Sequence, residues 1–301
     1  MISIIIPARN EEKNISNLFE SLKKVPGIKN CEILVVDGKS TDKTVDISKK
    51  YGAKVIMQEK LGISNARNLG WKFAKGDILV FLEADYAEID KDFLEKVKQH
   101  IAKSKADAWR PNVIPRAENW IQKALKVQIE LATRRQKAHA FPSIFKKEVL
   151  EKTGGWDESI GIAEDRELPG RIKTAGFKVE FIKDAIIYGN PVDSLNLLFK
   201  EGRWYGRHVT RYFAKTKDFV MLGGLLLYAS FVPLAILSLL SKYFTLLLAL
   251  ALFGLFIYAL KGLLVTKSPY ALLIVPVNIV RGFGELVGLL ESPFVKQKGK
   301  L

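Results

Sequence analysis

The sequence predicts an α/β domain on a mostly parallel sheet flanked by helices, followed by C-terminal transmembrane helices. Three observations carry this reading. Short apolar runs alternate with amphipathic helical stretches through the first third of the chain, the pattern of a parallel sheet. Polar residues gather where those runs end. From Phe219 onward charge nearly vanishes: residues 219–301 hold seven of the 47 Lys/Arg and two of the 32 Asp/Glu.

The elements follow in order. Ile2–Ile6 is a short apolar run suited to a strand buried on both faces. Asn14–Lys24 reads as a helix, with Ile15, Leu18, Phe19 and Leu22 on one face. Glu32–Val36 is a second strand, and Thr41–Lys50 a helix carrying Asp42 in its first turn, where the helix dipole favours an acid. Lys54–Met57 is a third strand, Ser64–Ala74 a helix, Ile78–Leu82 a fourth strand and Phe93–Lys103 another helix. Ligands of such sheets bind beyond the carboxyl ends of the strands. There lie Pro7, Ala8, Arg9, Asn10 and Glu11, then Asp37, then Glu83, Ala84 and Asp85.

Composition narrows the function. Apolar residues make up 48% of the chain, which excludes a disordered protein. One cysteine excludes a disulfide framework, and three histidines leave little for a histidine-built metal cage. The net charge of +15 suits a chain beside anionic headgroups. There is no basic recognition element for nucleic acid. No GxGxxG follows the first strand and no GxxxxGK[ST] occurs, against dinucleotide and P-loop enzymes.

Glu83 and Asp85 stand two apart at a strand end, where extended alternation sets both side chains on one side. Two hard oxygen donors suit Mg²⁺ or Mn²⁺ bridging substrate phosphates. Asp37, also at a strand end, can accept the imide N–H of uracil or guanine, or cap its own loop.

Five segments in order resemble family 2 glycosyltransferases of the GT-A, nucleotide-sugar-binding fold: Ser3–Glu12, Asp37–Thr44, Ser64–Gly70, Phe81–Asp85 in the place of the family's DxD, and Gly154–Glu158 with Glu164–Leu168, Arg171-Ile172 and Gly176-Phe177. The resemblance spans roughly residues 1–215. It implies that Pro7, Ala8, Asn10 and Glu11 line the nucleotide pocket and that Asp37 reads the base. It implies Arg67 near the diphosphate, Asp85 on the metal, and Asp165 as general base with Glu164 beside it. His139 is the alternative base. Three departures stand out. The DxD is ExD, so Glu83 serves the ribose or helps indirectly. The last strand ends Ile186–Pro191 without a histidine, leaving Tyr188 or Asn190 as substitutes. Asp37 is followed by Gly38 where an acidic pair is common.

Ser194–Lys215 places Leu195, Leu198, Phe199, Tyr205, Val209, Tyr212 and Phe213 on an apolar face beside recurring Lys and Arg, as in a helix lying at a bilayer interface. Arg203, Trp204 and Arg207 fall within it. Lys200–Trp204 weakly resembles the family's QxxRW, and the two arginines could hold a lipid phosphate. Trp120–Lys137 reads as a long helix before a loop at His139–Pro142. Phe219–Leu240, 22 residues without a charge, would be about 33 Å long, and Tyr243–Leu260, 18 residues, about 27 Å; both suffice for a bilayer core. Tyr270–Leu290 carries Asn278, Arg281 and Glu285 on one stripe and reads as a third span or an interfacial helix.

The domains expected are therefore a catalytic domain over 1–193, an interfacial helix over 194–218 and a membrane region over 219–301. The short apolar N-terminus is no signal peptide, so the catalytic domain is expected in the cytosol of a multi-pass membrane protein. The resemblance implies an inverting transfer from a UDP- or GDP-sugar to a membrane-located acceptor, such as a polyprenyl or dolichyl phosphate or a lipid-linked glycan. The competing expectation is a membrane-anchored scaffold that keeps the fold without turnover.

Overall fold

A computed structural model describes residues 1–135, 142–162 and 164–292. The chain divides into two compact units: Met1–Ile114 with Ala138–Asn190, and Pro115–Lys137 with Pro191–Gln297.

The first unit holds β1 (Ile2–Ala8), α1 (Glu12–Leu22), β2 (Glu32–Asp37), α2 (Thr44–Lys50), β3 (Lys54–Met57), α3 (Ile63–Phe73), β4 (Ile78–Phe81), β5 (Glu88–Ile89), α4 (Phe93–Lys103) and β6 (Ala108–Pro115). After α5 (Trp120–Arg135), which belongs to the second unit, come β7 (Ile144–Lys146), α6 (Lys147–Thr153), α7 (Glu164–Thr174) and β8 (Val179–Gly189). The eight strands form one sheet in the order β3-β2-β1-β4-β7-β6-β8-β5. β1 pairs in parallel with β2 and β4, and β2 with β3, as the alternating pattern predicts. The remainder corrects the expectation of a mostly parallel sheet. β7 is antiparallel to β4 and to β6, and β5 to β8. The sheet is mixed.

Alternation along β1 explains the core. Ile4 and Ile6 point to one face, with Phe19, Val35 and Phe93; Ile5 points to the other, with Leu34, Trp71, Leu79 and Phe145. Phe81, Phe145 and Trp156 meet edge to face at centroid separations of 4.7–5.8 Å.

The second unit holds α5, α8 (Leu195–Thr216), α9 (Phe219–Ser238), α10 (Lys242–Thr266) and α11 (Ile274–Glu291). The sequence placed residues 115–137 within the first domain. In the structure Ile121, Ala124 and Leu125 of α5 pack with Leu198 and Val277, so apolar burial draws the segment to the helices. Among the described residues three helices are long and apolar enough to cross a membrane: Phe219–Ser238, Lys242–Thr266 and Pro269–Glu291. The second runs past Lys261, six residues beyond the charge-free stretch that marked it. α8 spends part of its apolar face on α11. Gly202 and Gly206 lie against the backbone of Arg281 and Glu285, while Gly284 and Gly288 lie against that of Phe199 and Arg203. A Cβ at any of the four would collide with main chain, so the contact needs glycine on both helices.

Candidate active site

The floor is made by the turns after β1 and β2. Asn10 adopts φ 55°, a left-handed conformation that asparagine tolerates better than most residues. That bend lets its backbone N–H donate to Ser40 Oγ at 2.9 Å and its Oδ1 accept from Thr41 N at 2.8 Å. Glu11 N donates to Thr44 Oγ1 at 2.8 Å, and Asn14 Nδ2 donates to the Glu11 carboxylate at 2.7 Å. Asp42 precedes α2 rather than lying in its first turn. It accepts from Thr44 N at 3.0 Å and Glu12 N at 3.0 Å, which makes it a clasp between the two turns.

Asp37 ends β2 fully buried. Its Oδ2 accepts from Ser40 N at 2.9 Å and its Oδ1 from Ser40 Oγ at 2.5 Å. Both oxygens hold the loop, and Asp37 is not among the residues lining the cavity.

The fourth strand closes at Phe81, so Glu83, Ala84 and Asp85 lie in a turn. The alternation argument for the carboxylate pair therefore fails. Asp85 is exposed, whereas Glu83 Oε1 accepts from Arg67 Nη2 at 2.6 Å. Arg67 Nη1 donates to Glu164 Oε1 at 2.7 Å, with the Arg67 side chain only 11% exposed. Burial opposes the guanidinium charge, but Glu83 and Glu164 outweigh it and hold its pKa above the ordinary value. Arg67 also lies 5.6 Å from the Trp156 ring centroid. Tyr86, below this turn, has its phenol pushed up by burial first and by Glu83 and Asp85 next.

α3 ties the glycine-tryptophan loop to the site. Asn68 Nδ2 donates to Trp156 O at 2.8 Å, and Trp156 N donates back to Asn68 Oδ1 at 2.9 Å. Gly155, at φ 69°, lets the loop press on Asn68 and Trp71, where a side chain would clash. Glu158 then accepts from Asn65 at 3.1 Å and Asn68 at 3.1 Å. α7 starts at Glu164, and Asp165 follows within Coulombic reach of Arg67, Glu83 and Glu164. Its carboxyl is raised from 3.8 to about 6, by crowding first and Glu164 second, with Arg67 pulling it back. Asp165 is nonetheless exposed. Solvent therefore screens the effect.

A cavity of about 550 Å³ opens between these turns. Of the residues read from sequence, Pro7, Ala8, Asn10, Glu11, Glu83, Ala84 and Asp85 line it. Arg67, Glu164 and Asp165 stand beside its Glu83 edge through the ion pairs above. Sequence reasoning missed Gln58, Leu61, Gly62, Ile63 and Ala66 as lining residues. The strand-end rule would have found Gln58, which follows β3. Arg203 and Arg207 belong to the second unit, where their Nε groups donate to the Glu291 carboxylate at 2.9 and 2.6 Å. Trp204 lies between them, its carbonyl bonded to His208 Nδ1 at 2.8 Å. Tyr188 pairs with Glu88 across β8 and β5. His139 lies outside the described residues.

The chain is 37% identical over 105 residues to a dolichol-phosphate mannosyltransferase of Pyrococcus furiosus, covering 32% of this chain and 30% of that one. It is 41% identical over 102 residues to a dolichyl N-acetyl-alpha-D-glucosaminyl phosphate 3-beta-D-2,3-diacetamido-2,3-dideoxy-beta-D-glucuronosyltransferase of Methanococcus voltae, covering 31% of this chain and 32% of that one. The matched stretch thus spans about a third of the length of these relatives. The mannosyltransferase PcManGT from Pyrobaculum calidifontis, solved in complex with GDP-Man and Mn²⁺, superposes with a TM-score of 0.58 at 19% identity, covering 95% of this chain and 86% of that one. At that identity the likeness is one of fold, and the fold is GT-A. The family model described as glycosyl transferase family 2 matches residues 3–162, more than half of the chain, and the protein belongs to that family.

Proposed function

We propose that the protein is a membrane-bound inverting glycosyltransferase that moves a sugar from a UDP- or GDP-sugar to a lipid-linked acceptor on the cytosolic side. The observation that carries this reading is the placement of two carboxylates. Asp85 lines the cavity and is exposed, while Asp165, raised to about 6, stands beyond the Arg67 bridge. The donor occupies the cavity, with Pro7, Ala8, Asn10 and Glu11 along its nucleoside.

Among the described residues no three His, Cys, Asp or Glu gather as a metal cage. Mg²⁺ and Mn²⁺ at phosphates need only one or two carboxylates, the rest coming from the substrate and water, so Asp85 fits such an ion. Asp85 would hold it, with Glu83 set back against Arg67. When bound, the ion neutralises charge on the departing nucleoside diphosphate. Asp165 takes the proton of the acceptor hydroxyl as its oxygen attacks the anomeric carbon. The bond from that carbon to the diphosphate breaks, and the nucleoside diphosphate leaves. A phosphate acceptor is already ionised and needs no base. As a base Asp165 would serve a hydroxyl acceptor, such as a sugar on a polyprenyl or dolichyl carrier. Arg203 and Arg207 could reach a lipid phosphate only by giving up Glu291.

Nucleotide release from UDP- and GDP-sugars, with Mn²⁺ and lipid-linked glycans, tests the reading on the full chain in nanodiscs. Asp85→Ala is expected to lose the metal-dependent part of donor binding, and Glu83→Ala to lose less. Chelation by EDTA should stop turnover. Donor affinity that ignores both Asp85 and metal would overturn the assignment.

A further inference from the structure

We propose that Gln58, rather than Asp37, presents the oxygen that receives the ring N–H of the donor's base. This rests on the nucleotide-sugar reading of the cavity. Asp37 is turned into its own loop: each of its oxygens accepts from Ser40, and the residue is fully buried outside the cavity lining. Gln58 is its neighbour, with Gln58 N donating to Asp37 O at 2.9 Å, and it lines the cavity.

The orientation of the Gln58 amide is fixed by its surroundings. Nε2 faces three oxygens: Lys60 O at 3.1 Å, Gly62 O at 2.9 Å and Asn65 Oδ1 at 3.0 Å. Reversing the amide would set Oε1 against all three, which electrostatics forbids. Oε1 therefore points away from the α3 side. It stands over Gly38, where a built Cβ would come within 3.1 Å of it. Among the described residues it receives no hydrogen bond. A held oxygen with no donor of its own can only accept. Uracil carries its ring donor at N3–H and guanine at N1–H. Methylating either nitrogen removes the donor and leaves the Gln58 oxygen without a partner.

The ring N–H can be removed chemically. Binding of UDP, N3-methyl-UDP, GDP and N1-methyl-GDP with Mn²⁺ is measured calorimetrically on the full chain in nanodiscs. For whichever parent nucleotide binds, methylation is expected to weaken wild-type binding about tenfold or more, on the scale of one lost buried hydrogen bond. In Gln58→Met the ratio of parent to methylated affinity should fall to about twofold, because the acceptor is gone. Gln58→Leu, which also lacks the acceptor, should give the same fall. Asp37→Asn should leave the ratio unchanged. The ratio isolates the bond from any loosening of the loop, and either Gln58 variant alone suffices if the other does not fold. Equal binding of parent and methylated base to wild type overturns the proposal, as does a ratio that ignores Gln58 or follows Asp37. Failure of both parent nucleotides to bind wild type would instead reject the nucleotide-sugar reading, and this inference with it.

Discussion

At the scale of single residues, Asp165 and Arg67 carry opposite expectations. Asp165→Asn keeps shape and removes basicity, so turnover should fall about a hundredfold or more while donor affinity stays near wild type. Its raised pKa has a signed consequence. A carboxyl held at about 6 in the folded state and near 3.8 unfolded favours the fold while protonated, and that support is lost as pH rises through 6. Above pH 6 the mutant should therefore melt slightly higher than wild type, by about 1 kcal/mol or less because solvent screens the charge. The wild-type rate should fall below about pH 6, where the base is protonated. Arg67→Met removes the shared partner of Glu83 and Glu164. Glu164 is left 10% exposed without its cation, and stability should drop by about 2–4 kcal/mol, discounted because Glu83 is 37% exposed. Since Arg67 lowers the Asp165 pKa, the acid limb of the rate profile should also move to higher pH. A limb that stays in place would separate Arg67 from the base.

Among the elements, the glycine contact between α8 and α11 is the most exposed to test. Gly206→Val puts a branched side chain into the Glu285 backbone and should cost about 1–3 kcal/mol, read as a lower melting temperature in detergent. The equivalent change at Gly223, which has open space around it, should cost little. The same helices mark what the sequence could and could not tell. Elements with local periodicity were legible: β3 and α4 have the bounds their patterns gave, and α1, α3 and β4 differ by one or two residues. The glycines of α8 were not, because a stripe of small residues has meaning only against the helix it meets. β6 escaped notice because Pro111 and Pro115 interrupt it, and prolines argue against a strand. In the site, residues reading along one strand end were legible, as with Pro7–Glu11. A side chain claimed by a distant partner was not: Arg67 is held by Glu164, 97 residues away.

For the whole molecule, the three apolar helices and the Lys-rich flanks give a topology to check. With the catalytic unit in the cytosol, Ser241, before α10, lies outside. A cysteine placed there, with Cys31 removed, should react with a membrane-impermeant thiol reagent on intact cells. Labelling only after lysis would reverse the orientation. The Arg281–Glu201 pair joins residues 80 apart in sequence, and the glycine seam spans a similar interval. This sets a timetable for synthesis. α8 leaves the ribosome well before the helix that covers it, and must wait through two complete hydrophobic segments with its buried face bare. A chain ending before α11 would keep Leu198, Gly202 and Gly206 without their cover throughout its life. Such truncations are expected to be degraded or to aggregate even when the catalytic sheet is intact, so a nonsense change late in the gene should be as damaging as one within the active site.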